Sequence, residues 1–371
     1  MEDMVGFDSL FGGIYKGRRV LVTGHTGFKG SWLVRWLDLM GAEVYAYALP
    51  PATTPNHISL IKVRMQEKTG DLRDGDTLKA FVRDVRPDIV FHLAAQALVR
   101  PSYQDPVETF STNIMGTLHV FEACRATDSV RAIVNVTSDK CYENKEWIWG
   151  YRENDRMGGY DPYSASKGMA ELLTASYRNS FFNTAHYGTA HHVLLASGRA
   201  GNVIGGGDWA TDRLIPDVVK AAHTGRSVHI RSPQATRPWQ HVLEPLSGYL
   251  HLGWKLLEGQ AAFAEGWNFG PGMDSNISVR HIVERAADIW DAITPDFSDN
   301  PANLHEANLL MLDCSKAHKR LHWRPVWDMD TTLRKTINWY KDYYQKGVIR
   351  TDNDIADYVR DARKVKPEWA R

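Results

Sequence analysis

The chain has 371 residues, 43% of them hydrophobic and 24% charged, a length that suits one large α/β unit with a second, smaller lobe rather than three ordinary domains. Its 44 Lys and Arg balance 44 Asp and Glu, so no net field is available to hold nucleic acid or a membrane surface, and an anionic ligand has to be met by local groups. Cys124, Cys141 and Cys314 are too scattered for a disulfide framework or a zinc site and fit a reducing cytoplasm; the opening MEDMVGFDSLFGG has no leader pattern, and no run of about 18 apolar residues could span a membrane.

From Arg18 onward, short β-branched runs alternate with amphipathic stretches, the rhythm of parallel strands joined by crossover helices. RVLVTG is the first strand. Trp32, Leu33, Trp36, Leu37 and Met40 then recur at helical spacing until Gly41 caps the helix, and EVYAYAL returns to the strand period. A helix is expected over 78–85, a strand at DIVFHLAA, a helix over 107–124, a strand at RAIVNVTS and a long helix opened by Asp161 and Pro162. HVLLASGRAGNV closes the count of buried strands.

Beyond about Asn202 the regularity gives way to GGGDW, to helices near 215–223, 242–257 and 279–290, and to short strands at VHIR and WNFG. These are read as a smaller lobe over the carboxyl edge of the sheet, where ligands of open α/β sheets bind. The expected fold is a Rossmann-type doubly wound parallel sheet with a smaller mixed α/β substrate-binding lobe. Residues 1–202 serve mainly the dinucleotide and 203–346 mainly the substrate, with interleaved segments, while 347–371 form a polar tail, docked or loose.

Two motifs carry chemistry. Thr23-Gly24-His25-Thr26-Gly27-Phe28-Lys29-Gly30 joins the first strand to its helix, and its glycines stand where a backbone must turn tightly and approach a pyrophosphate at a helix N-terminus. The acidic residue that usually closes the second strand is missing from Ala48-Leu49-Pro50, and no arginine stands there for a 2′-phosphate, which favours NAD over NADP. Tyr163 and Lys167 stand four apart on the expected helix, hence on one face. An ammonium beside a phenol is expected to lower its pKa, as a proton-transfer group for a sugar hydroxyl needs.

TGHTGFKG, HLAAQ, a serine-bearing strand end, YSASK and RAGNVIGGGDW, in this order, resemble the extended short-chain dehydrogenase/reductases that modify nucleotide sugars. VTSDKCYEN, ENDRMGGYDPYSASK, RAGNVIGGGDWATDRLIPD and RPWQHVLEPLSGYL are similar to the CDP-glucose 4,6-dehydratases among them, over about 18–344. The resemblance implies NAD as cofactor and a homodimer or a higher homo-oligomer; no metal is expected, since the cysteines show no ligand spacing. It puts Gly24, Thr26, Gly27, Phe28 and Gly30 around the cofactor phosphates, and Asp71 and Leu72 at the adenine. Leu93, Ala94, Ala95 and Gln96 line the dinucleotide in this scheme, with Thr137, Tyr163 and Lys167 at the nicotinamide end. Ser138, Asn202, Leu214 and Arg237 meet the nucleotide-sugar substrate. A guanidinium suits two-pronged phosphate contact, although Arg237 also reads as a solvated surface arginine and Asn202 as a turn residue.

The activity so implied oxidises C4 of the sugar, eliminates water across C5 and C6, and returns the hydride to C6. Sugar-nucleotide 4,6-dehydratases generally carry Asp-Glu after a Thr or Ser at the strand end, where this chain has Ser138-Asp139-Lys140. Asp139 fits the acid for the C6 hydroxyl, provided burial raises its pKa, and Lys140 is either the C5 base or an orienting charge, with Glu143 or a water as the other base. A nucleotide-sugar 4-epimerase would share Tyr163 and Lys167 without needing this pair. A catalytically silent NAD-binding regulatory protein would be expected to have lost Tyr163 or Lys167.

Overall fold

The computed structural model describes residues 6–272, 276–298 and 309–371; residues 1–5, where the segment read as leaderless begins, lie outside them. The first half builds β1 (Arg19–Thr23), α1 (Phe28–Leu39), β2 (Glu43–Ala48), β3 (Met65–Thr69), α2 (Gly75–Val85), β4 (Ile89–His92) and α3 (Val99–Gln104). α4 (Pro106–Phe110) and α5 (Gly116–Arg125) are joined through a π turn at Ser111–Met115, so the expected 107–124 helix is continuous but locally widened. β5 (Ala132–Val136), α6 (Pro162–Ser180) and β6 (Leu194–Arg199) follow. α6 opens as anticipated, with Asp161 accepting from the Ser164 amide and Pro162 in its first turn.

The second half holds β7 (Val203–Ile204), α7 (Leu214–His223), β8 (Val228–His229), β9 (Thr236–Pro238), β10 (Gln240–His241), α8 (Leu243–Leu257) and β11 (Gly266–Asn268). β12 (Asn276–Ser278), α9 (Val279–Ile289), β13 (Pro295–Asp296), α10 (Met329–Lys346) and α11 (Thr351–Val365) complete it. The main sheet runs β11-β6-β5-β4-β1-β2-β3, and every neighbouring pair is parallel. Strand order reverses between β1 and β4, so a crevice opens above their carboxyl ends. The other strands pair as β10-β7, β12-β9 and β13-β8 beside that edge.

Two expectations are corrected and one strand is added. WNFG is expected in the smaller lobe, yet Gly266–Asn268, which includes its first two residues, is the seventh strand of the main sheet, in register with Ser197–Arg199, so the count of buried strands closes later than HVLLASGRAGNV. The helix near 242–257 was assigned to the same lobe. It packs instead beneath β5 and β6, with Leu243, Leu246, Leu250 and Leu256 fully buried in the core on that face. Finally, β3 went unread because MQEKT is an edge strand exposed on both sides; its backbone pairing to β2 makes it a strand without an apolar pattern.

The sheet has a core on each face. Leu78, Val82, Phe121 and Tyr177 fill one, and Trp32, Trp36, Leu246 and Tyr358 belong to the other, which extends into the second half of the chain. The tail is docked: α11 buries Ile355, Tyr358 and Val359, and Trp369 stacks on Phe11 with ring centroids 5.1 Å apart. The segment around Phe11 and the C-terminal tail are therefore joined through one aromatic cluster.

Candidate active site

A cavity of about 1150 Å³ lies along the carboxyl edge of the sheet, and every candidate cofactor, substrate and acid–base residue named from the sequence, Glu143 included, lines it. At one end the turn after β1 is built for close approach. Gly24 has φ +79°, and a Cβ there would stand 2.6 Å from the Ala94 amide nitrogen; one on Gly30 would stand 2.1 Å from the Gly24 carbonyl oxygen. No side chain caps the N-terminus of α1, so its first amides remain available at the cavity. This cradle, which any larger side chain would fill, fits a dinucleotide pyrophosphate. Thr26 and His25 brace it, through the Leu49 carbonyl at 3.0 Å and Glu67 at 2.9 Å.

Along the wall after β4, Gln96 is clamped by Asn113: its amide donates to Oδ1 at 2.8 Å and its carbonyl accepts from Nδ2 at 2.9 Å. Asn113, carried by the π turn, also donates to Ser166 on α6 and so ties the wall to the catalytic helix. Asp71 pairs with Arg73 at 2.5 Å, and hydrogen bonds from Arg73 hold its carboxyl below the usual range. Asp71 and Leu72 stand where an adenine was expected, beyond β3.

The other end brings Ser138, Asp139 and Lys140, on a short turn after β5, against Tyr163 and Lys167 on α6. Ser138 donates to Asp139 Oδ1 at 2.9 Å, and Asp139 is buried. Gly201 leaves room for that carboxylate, since a Cβ there would lie 2.0 Å from Asp139 Oδ2. Beneath the turn runs a buried network: Thr137 donates to Glu171 at 2.5 Å, Ser197 donates to it at 2.8 Å, and Arg199 pairs with it at 2.7 Å. Burial alone would raise the Glu171 carboxyl, yet the charge and hydrogen bond of Arg199 leave it below its ordinary range.

The expected direction of the Tyr163 shift is corrected here. Burial pushes its phenol up to about 12, against a lowering hydrogen bond from Ser138. Burial likewise lowers Lys167 to about 8, against the carboxylate of Glu171. Both charged forms lose hydration in the same enclosed site, and the groups named as acting on the phenol are Ser138, Asp139, Arg213 and Asp161 rather than Lys167. Glu143, the other base considered for C5, is paired with Lys145 at 2.5 Å and Arg156 at 3.5 Å, and the Lys145 hydrogen bond keeps it ionised at lower pH than usual. A carboxylate so neutralised is a weak base.

Towards the second half, Asn202 accepts the Gln240 amide through its carbonyl at 3.2 Å, Leu214 begins α7, and Arg237 lies on β9 with one amine donating to the Thr236 carbonyl. Sequence reasoning missed four cationic side chains that line the same cavity. Arg213 pairs with Asp208 at 2.8 Å, Arg100 and Arg231 both meet Asp212 at 3.1 Å, and Lys29 reaches in from the first turn of α1. Lys29 and Arg213 stand inside strings already marked, TGHTGFKG and RAGNVIGGGDWATDRLIPD, and that position was the available signal.

A family model described as GDP-mannose 4,6 dehydratase matches residues 21–336. The chain is 50% identical to the CDP-glucose 4,6-dehydratase of Salmonella typhimurium, over 93% of its own length and 97% of the relative's. Among solved structures it is similar to a UDP-glucose 4-epimerase of Thermotoga maritima with UDP-glucose, at TM-score 0.75 and 21% identity, covering 87% of this chain and 99% of that one. It is also similar to the dTDP-glucose 4,6-dehydratase DesIV of Streptomyces venezuelae with NAD bound, at TM-score 0.72 and 23% identity, covering 87% and 97%. One fold carries an epimerase and a dehydratase, so the choice between those chemistries falls to the residues of the cavity.

Proposed function

The chain belongs to the GDP-mannose 4,6-dehydratase family, and we propose that it is a CDP-glucose 4,6-dehydratase, a hydro-lyase that converts CDP-glucose to CDP-4-keto-6-deoxy-glucose with NAD as its cofactor. The observation that carries this reading is the presence of Asp139 and Lys140 in the same cavity as Tyr163 and Lys167. An epimerase needs only the second pair. The half-identical relative supports cytosine as the base of the substrate nucleotide.

Gly24, Gly30 and the α1 amides would hold the pyrophosphate of NAD, with Leu93 to Gln96 along its length and Thr137, Tyr163 and Lys167 at its nicotinamide. The chemistry NAD supplies there is reversible hydride acceptance, at C4 of the sugar and back at C6. Tyr163 takes the proton of the C4 hydroxyl; Ser138, by its hydrogen bond, and Arg213, by its charge, are the groups that favour its phenolate. A phenol that ionises with difficulty is a strong base once it has done so. The C4 ketone acidifies the C5 hydrogen, Lys140 removes it, and Asp139 protonates the departing C6 hydroxyl. Arg237, Asn202 and Leu214 hold the nucleotide diphosphate, with Arg213 and Arg231 adding positive charge at that end.

Residues 1–202 are mainly the cofactor part and 203–346 mainly the sugar-nucleotide part, with α8 and β11 returned to the first. The enzyme works as a homodimer in a reducing cytoplasm, where its three buried, unpaired cysteines persist as thiols. Incubation of the pure protein with CDP-, dTDP-, GDP- and UDP-glucose tests the assignment. CDP-glucose should be consumed fastest, the product should be lighter by one water, and no NADH should accumulate. A product of unchanged mass would mean an epimerase, and net NADH a simple dehydrogenase.

A further inference from the structure

Lys29 belongs to the phosphate cradle by its backbone and to the catalytic end by its side chain. It is the second residue of α1, next to the glycines that receive a pyrophosphate. Its ammonium lies 5.9 Å from the centre of the Tyr249 ring on α8, and its electrostatic neighbours are Arg213, Asp139 and Lys167. Tyr249 faces Tyr163 and Asp139 in turn. The Lys29 ammonium has no ion pair or hydrogen bond among the described residues, and it lines the cavity. Burial and the positive charges of Arg213 and Lys167 bring its pKa down to about 8, so it remains largely charged at neutral pH. The ammonium is half-buried, with the Asp139 carboxylate opposing Arg213 and Lys167 among its electrostatic neighbours, so it presents a positive charge to whatever fills the cavity.

A dinucleotide whose pyrophosphate sits on α1 and whose nicotinamide sits at Tyr163 spans the same interval as the Lys29 side chain. We infer that Lys29 sets the redox balance of the bound cofactor, its positive charge disfavouring the cationic oxidised nicotinamide relative to the neutral reduced one. This inference rests on the reading of the cavity as an NAD site. The consequence suits an enzyme that must keep a hydride through an elimination: oxidation at C4 is drawn forward, and reduced cofactor is retained until C6 can take the hydride back.

The test is the ratio of dissociation constants for NAD and NADH, measured by titrating each into the full-length protein and into its Lys29→Met and Lys29→Arg variants. Lys29→Met should tighten NAD relative to NADH by about tenfold, the order of effect that one unit charge exerts on another in a partly buried site, and Lys29→Arg should restore the wild-type ratio. Equal weakening of both forms in Lys29→Met would make the lysine a phosphate clamp and overturn the inference, as would an unchanged ratio. Failure of the wild-type protein to bind either form would instead remove the NAD reading on which it stands.

Discussion

Tyr163 and Lys167 differ in what their removal should do. Tyr163→Phe deletes the proton acceptor and little cofactor contact, so kcat should fall at least about a hundredfold while the affinity for NAD stays near that of the wild type. A smaller loss would remove Tyr163 from the mechanism. Asp139 and Lys140 should govern elimination rather than the first oxidation. Mixed with CDP-glucose, Asp139→Asn should accumulate reduced-nicotinamide absorbance and stall before water is lost, whereas Lys140→Ala should exchange C5 with solvent deuterium more slowly than the wild type. Wild-type exchange in Lys140→Ala would leave the lysine an orienting charge; because Glu143 is already neutralised by Lys145 and Arg156, a water would then be the base.

At this scale the cavity was largely legible, because its residues lie in a few contiguous strings and the first β-α junction is a recognisable phosphate turn. What was not legible is the balance of burial against charge. Spacing puts Tyr163 and Lys167 on one face but says nothing of how much water each loses, so the direction of the phenol shift came out reversed. Lys29 escaped for a similar reason. A lysine in a first helical turn reads as solvated until the packing of α8 and the turn at Asp139 encloses it.

Among the elements, those with a period were readable and those fixed by partners were not. The central strands β4, β5 and β6 are buried at every position, and α6 announces its own cap. β3 has no apolar face, and Gly266–Asn268 is too short to reveal which sheet it joins. α8 holds a further consequence, for its Glu244 is fully enclosed and accepts from the Val326 and Trp327 amides and the Tyr358 hydroxyl of α11. Burial raises that carboxyl from its ordinary 4.5 to about 7. Because the folded-state pKa lies above the unfolded one, the contribution to stability is full below about 4.5 and is lost as pH rises through about 7. Asp354 on α11, raised to about 6 by burial, acts in the same direction. Denaturation midpoints should therefore fall between about pH 5 and about pH 8, by up to about 3 kcal/mol from Glu244, and Glu244→Gln should flatten most of that slope. A slope unchanged in the variant would place the titration elsewhere.

For the molecule as a whole, the open question is what covers α4, α5 and α6. These helices pack against one another on one face of the sheet, yet Val107 is 76% exposed, Leu172 60%, and Met115 and Met169 each 46%. Such a cluster of large apolar groups is unusual on a surface that faces only water. Met169 and Leu172 are three apart on α6, hence neighbours, and Leu172 lies about half a turn round the helix from Tyr163, so this face points away from the cavity. A two-fold axis beside α6 would bury the patch against its own copy and let both active sites stay open. Leu172→Glu should then yield a monomer in sedimentation, since the symmetry places the new charge in the contact twice, while circular dichroism and NAD affinity remain those of the wild type. A Leu172→Glu protein that stays dimeric would shift attention to the other exposed apolar group, Ile148, Trp149 and Tyr160, on the loop between β5 and α6. A wild-type protein that sediments as a monomer would instead leave the α6 patch for some other partner.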